Sequence, residues 1–169
     1  MRTLEVPPLI PPTLAKRAGL AAAVLSLPLA TVSFQNPASA STTVPTFDSA
    51  ATAYLAYSVE ADRTWVHASQ LSLSPSLDQV ALAHAYQMAE GNYLFDSPYL
   101  AGVAGPYVPG WLRLGENSAY GATAVAAAWT FVHSPPHLAN ILGPYNEYGV
   151  AAVRSGGTLW VAEVFAYQG

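Results

Sequence analysis

Phe47, Ala51, Leu55, Val59 and Val66 recur at near-helical spacing, with Tyr54 and Trp65 beside them. That spacing predicts a first helix, capped by Thr46 or Asp48. A second apolar stripe, Leu77, Val80, Ala81, Ala85 and Met88, predicts a helix from Ser74-Pro75 to about Glu90. Proline suits its first turn, where an N–H would have no partner, and Gly91 offers a stop. Residues 92–115 hold much Gly, Pro and Tyr and show no clean period, so they read as a long surface loop with room for one helical turn. A third helix is predicted over about residues 122–132. A short fourth follows Ser134 and ends at Gly143-Pro144.

Two strands close the chain, near residues 147–154 and 158–167, with Ser155-Gly156-Gly157 between them as a hairpin turn. The last strand is apolar on both faces, with Trp160, Ala162 and Val164 opposite Leu159, Val161 and Phe165. A strand buried on both sides needs helices above and below it. The expected class is α+β, an α-β-α sandwich of about four helices around a small antiparallel sheet. No internal repeat or second domain is visible.

The first forty residues change the domain picture. Lys16 and Arg17 precede an apolar stretch over residues 18–29, then Gln35, Asn36 and Ala38-Ser39-Ala40. This is the layout of a secretory signal, and the apolar part is short for a membrane span. An uncleaved anchor is the alternative. The expected organisation is a signal at 1–40, a short polar lead at 41–46 and one domain at 47–169. Beyond residue 40 there remain three Arg, no Lys and nine acids, a formal charge of −6. That balance argues against nucleic acid and anionic membrane surfaces as partners. Cysteine is absent, so the fold relies on its core and thiol chemistry is excluded.

Candidate chemistry concentrates in Gly115-Glu116-Asn117 and in Ser134-Pro135-Pro136-His137. Glu116 is expected on a Gly-preceded turn, where its carboxylate pins backbone N–H groups or faces a cleft. Ser134 as cap and Pro135 at the first helical position place His137 in the first turn. The positive helix end disfavours an imidazolium there. Glu116 and His137 are expected to face one cleft, with Asp96 at its border. His133 lies four residues before His137, but the intervening prolines argue against a metal pair. His84 reads as a packing residue on an Ala-rich helical face. Glu163 shares a strand face with Leu159, Val161 and Phe165 and needs a hydrogen-bond partner if buried. Asp96 sits in a polar turn and also suits an Asx-type cap. No zinc-protease, nucleophile-elbow or phosphate-loop motif is present.

Taken in order, these segments resemble the CAP superfamily (cysteine-rich secretory, antigen 5 and pathogenesis-related proteins), in its cysteine-free bacterial branch. Glu60-Ala61-Asp62-Arg63 sits where the family has Asn, two variable residues and Arg. Residues 71–89, with His84-Ala85 and Met88-Ala89, resemble its second helix. Gly115-Glu116-Asn117-Ser118-Ala119-Tyr120-Gly121 and Ser134 to Leu142 resemble its two central motifs, with Pro136 and Leu138 replacing Gly and Arg. Tyr148-Gly149-Val150 and Val164-Phe165 resemble its closing strands.

The resemblance implies a cavity with two His and two Glu, which in some members holds a divalent metal. Here Glu116 and His137 match, Asp96 stands at the first His position, and Trp129 to His133 offers no acid. The metal set implied is His137, Glu116 and Asp96, weakly binding at most, with no cofactor required. The family often has Gln at the position of Glu163. Some relatives bind sterols or lipids, and others have been proposed as proteases. The expected function is therefore a secreted, monomeric, non-catalytic domain. Its cleft, lined by Asp96, Glu116, His137, Tyr93 and Trp111, would take a small or apolar ligand or a partner. The alternative is a hydrolase or peptidase using Glu116 and His137, with or without a metal.

Overall fold

A five-stranded sheet lies between two layers of helices in the computed structural model, which describes residues 43–169. The signal expected at 1–40 lies outside the described residues. The strands are β1 (Thr46–Phe47), β2 (Ser72–Leu73), β3 (Trp111–Gly121), β4 (Glu147–Ser155) and β5 (Thr158–Gln168). The helices are α1 (Ser49–Trp65), α2 (Pro75–Gly91), α3 (Leu100–Ala104), α4 (Ala124–His133) and α5 (Pro135–Ile141), and Gly105–Tyr107 forms a 3-10 turn. The sheet order is β1-β4-β5-β3, antiparallel throughout, with β2 parallel to the start of β4.

The two faces of β5 divide the core as its sequence requires. Leu159, Val161 and Phe165 pack with Leu55 and Val59 of α1, Phe131 of α4 and Ile141 of α5. Trp160, Ala162 and Val164 pack with Leu77, Ala81, Ala85 and Met88 of α2 and Ala104 of α3. The expected α-β-α sandwich is present, with five helices in place of about four.

Three boundaries differ from expectation. Asp48, not Thr46, caps α1: its Oδ1 accepts from the Ala51 N–H at 3.0 Å. Phe47 therefore belongs to β1, and Val66 falls past the helix end. The stretch read as a loop over 92–115 contains α3, the 3-10 turn and the start of β3. Residues 115–117 lie inside that strand, paired with residues 163–165 of β5, and not on a turn.

Helices and side chains close the outer edge of β4 between its short partners. Val150 N–H donates to Asp78 Oδ1 at 2.9 Å, and Ala152 N–H to Thr52 Oγ1 at 3.0 Å. Such cover removes an unpaired strand edge. It requires α2 to approach β4 very closely at Gly149. A Cβ there would collide with the Leu77–Asp78 peptide and lie 2.6 Å from Leu77 Cβ. Gly149→Ala is expected to cost about 1–3 kcal/mol through forced displacement of α2. A urea midpoint unchanged from wild type would refute this tight contact.

Candidate functional site

Successive residues of a strand point to opposite faces, and Glu116 and Asn117 do so in β3. Glu116 points toward α2. There His84 lies on the buried stripe of the helix, one turn after Val80 and Ala81 and one before Met88. His84 Nδ1 meets Glu116 Oε1 at 2.6 Å, with the side chains only 3% and 4% exposed. Ser97 completes the cluster: its hydroxyl donates to Glu116 Oε1 at 2.8 Å and its backbone N–H to Oε2 at 2.5 Å. The Ser97 hydroxyl also lies 3.1 Å from His84 Nδ1. A carboxylate only accepts, so Nδ1 carries the ring hydrogen. His84 Nε2 is buried and has no hydrogen-bond partner among the described residues. The Phe95 ring, 4.9 Å away, packs against the imidazole. His84 and Ser97 line a cavity of about 260 Å³ between α2 and residues 97–107, walled by apolar Val80, Ala83, Val103 and Tyr107 and by polar Gln79 and Gln87.

This trio has the residue types of a hydrolase triad without its geometry. In a relay the nucleophile and the acid occupy different imidazole nitrogens. Here Ser97 and Glu116 share Nδ1, so His84 does not activate the hydroxyl against the carboxylate.

On the other face, Asn117 and α5 form a buried polar latch. Asn117 Nδ2 donates to Glu163 Oε2 at 2.9 Å and to the His137 carbonyl at 3.2 Å. Asn140 Nδ2 donates to Asn117 Oδ1 at 2.9 Å and to the Glu116 carbonyl at 2.8 Å. Gly115 lets α5 come this near, because a Cβ there would collide with the Tyr145 hydroxyl and lie 2.8 Å from Asn140 Oδ1. Glu163 is fully buried, and burial pushes its carboxyl up to about 8; the Asn117 hydrogen bond opposes that rise and the charge of Asp62 adds to it.

The expected site residues are not gathered around one cleft. The His137 ring sits edge-on to Phe131 at 5.2 Å, within the layer of α4 and α5, and its Nδ1 is buried without a partner among the described residues. Glu116 and His137 thus address different faces of the sheet, and only backbone carbonyls and the two asparagines connect them. Asp96 is exposed and makes no hydrogen bond among the described residues, so it caps nothing. Tyr93 lines a separate groove with Tyr120 and Trp160, while Trp111 packs against Gly105. His133 is exposed, bonded through Nδ1 to the Trp129 carbonyl at 2.9 Å.

The donor set does not fit the metal that the resemblance implies. Both oxygens of Glu116 are engaged by His84 and Ser97, Asp96 is in solvent, and His137 lies on the other face. Among the described residues no three His, Asp or Glu side chains come together as a metal-holding group.

Local pattern marks His84 as a packing residue, gives no signal for Ser97, and places Asn140 in the Ser134–Leu142 segment without assigning it a role. The one sequence signal for His84 is a polar ring on an apolar helical stripe. Its partners lie 32 and 13 residues away, beyond the reach of local patterning.

The family model described as the cysteine-rich secretory protein family, CAP, matches residues 59–165. No curated protein sequence matches the chain significantly. Among solved structures, an outer surface protein of Borrelia burgdorferi superposes with a TM-score of 0.69 at 13% identity, covering 75% of this chain and 99% of that one. An extracellular SCP-domain protein of Bacillus anthracis gives 0.63 at 22% identity, over 72% of this chain and 41% of that one. A cysteine-rich secretory protein of Staphylococcus aureus gives 0.60 at 16% identity, over 72% and 40%. This chain thus spans about two fifths of each of the last two, and at these identities the likeness is one of fold. Among the described residues no helix is long and apolar enough to cross a membrane.

Proposed function

This chain belongs to the cysteine-rich secretory protein (CAP) family, and from that membership we propose that it is an exported, non-catalytic binding domain for a small, largely apolar ligand. The observation that carries this reading is the cavity between α2 and residues 97–107. Its apolar walls share the lining with the polar side chains of Gln79, Gln87, His84 and Ser97, the last two hydrogen-bonded to Glu116 behind the wall. Concave apolar sites with a few oriented polar groups are the common form of small-molecule sites. The surface or extracellular setting named for the structural neighbours supports export. The hydrolase reading draws no support from the site, since Glu116 and His137 address different faces of the sheet.

The test is an amide NMR titration of the exported protein with toluene. Shifts are expected at Val80, Ala83, Val103 and Tyr107, with affinity on the order of 1 mM for so small a ligand. Val103→Trp, which places an indole at the cavity, should abolish them. Shifts scattered over the surface, or unchanged in that variant, would overturn the assignment.

A further inference from the structure

We propose that the cavity selects neutral ligands that present a hydrogen-bond donor, and that Glu116 sets this choice by fixing the tautomer of His84. The inference rests on the reading of this cavity as a ligand site. The Ser97 backbone N–H can only donate and therefore demands an acceptor at the Oε2 position of residue 116. A carboxylate meets that demand and also accepts at Oε1 from the Ser97 hydroxyl and from His84 Nδ1–H. With the hydrogen on Nδ1, Nε2 of the neutral imidazole is left as a bare acceptor.

That nitrogen lacks a partner among the described residues and belongs to a residue that is 97% buried and lines the cavity beside Gln79 and Gln87, whose amides both donate and accept and so do not by themselves favour donor over acceptor ligands. A buried polar atom without a partner carries a desolvation cost that a ligand O–H or N–H removes. Anionic ligands are disfavoured. Glu116 lies across the imidazole from Nε2, and no Arg or Lys lines the cavity to offset its charge. The volume of about 260 Å³ lies just below the range of about 300–1,000 Å³ usual for small-molecule pockets. The ligand, or the part of it that enters, is accordingly a small neutral group with one hydroxyl or N–H.

Glu116→Gln makes a sharp prediction. Ser97 N–H holds the glutamine carbonyl at the Oε2 position, so the amide NH₂ faces His84 Nδ1. That nitrogen must then accept, the ring hydrogen moves to Nε2, and the cavity presents a donor in place of an acceptor.

The experiment compares pyrrole (donor only), pyridine (acceptor only) and benzene, titrated by NMR at mildly alkaline pH. Wild type is expected to bind pyrrole about three- to tenfold more tightly than benzene or pyridine. Glu116→Gln should reverse the order of pyrrole and pyridine, and His84→Phe should bind all three alike. The ring ¹⁵N shifts of His84 in wild type read the tautomer without any variant, and a hydrogen on Nε2 would overturn the proposal. So would equal binding of pyrrole and pyridine by wild type, although the cavity would then stand as a ligand site. If none of the three binds, the cavity reading fails and this inference fails with it. A Glu116→Gln protein that keeps the wild-type order removes Glu116 from the role assigned to it.

Discussion

Replacing Glu163 with glutamine is expected to stabilise the protein, by an amount that grows with pH. Glu163 is fully buried in β5, with one hydrogen bond from Asn117 to Oε2 and no partner at Oε1 among the described residues. Burial disfavours the carboxylate and moves the group from its ordinary 4.5 to about 8. The folded chain therefore holds a proton that the unfolded chain releases. This proton-linked stability is complete below 4.5 and is lost as pH rises through about 8. At about 1.4 kcal/mol for each pH unit, the loss reaches on the order of 4–5 kcal/mol. Glutamine keeps the shape and the acceptor for Asn117 and has no charge to bury. Urea unfolding of both proteins from about pH 4 to pH 9 checks this. The two should agree in acid and diverge steadily toward alkaline pH. Parallel stability curves would show that Glu163 titrates normally in the folded state.

Arg63→Ala should be the most damaging single truncation in the α1 layer, costing about 3–5 kcal/mol. Arg63 is only 2% exposed although its guanidinium is charged, and burial holds its ionisation below the usual arginine range while Glu60 opposes that shift. The guanidinium is satisfied by three carbonyls. Nε donates to Ser69 at 2.7 Å, and Nη1 donates to Ile141 at 2.6 Å and Gly143 at 3.0 Å. The last two lie at the carbonyl end of α5, where a positive charge also meets the favourable end of the helix dipole. Arg63 thus ties α1 to the turn after it and to the helix that latches onto β3. Alanine removes the donor from the Ser69 and Ile141 carbonyls, leaves Gly143 with only the Tyr145 N–H, and opens a void where the side chain packed. Lysine should recover less than half of the loss, because one ammonium cannot span the same directions. Thermal unfolding, with hydrogen exchange at Asn140 and Ile141, reads both the stability and the loosening of α5. A loss under about 0.5 kcal/mol, the size expected for a surface change, would exclude this role.

The parts of this molecule legible from local pattern are those whose burial is decided within one element. The stripe from Leu77 to Met88 makes α2 amphipathic wherever it packs. The two-sided β5 demands a helical layer on each face, and that demand alone implies the sandwich. Ser134-Pro135 starts α5 because an extended residue followed by a proline without an N–H acts within one turn, although the expected Ser134 side-chain cap does not form. Strand β3 obeys no such rule. Residues 115–118 are Gly, Glu, Asn and Ser, and nothing in their local pattern separates a turn from a buried strand. They form a strand because pairing with residues 162–165 satisfies their backbone, while α2 and α5 supply partners for their side chains. That pairing also decided the site. On a turn, Glu116 and its neighbours could converge with His137. In a strand the alternation of side chains sends Glu116 to His84 and Asn117 to the latch below His137. Neighbouring motif residues are thereby assigned to opposite layers, and the physical reason is the two-residue period of the strand, which only the partner strand could impose.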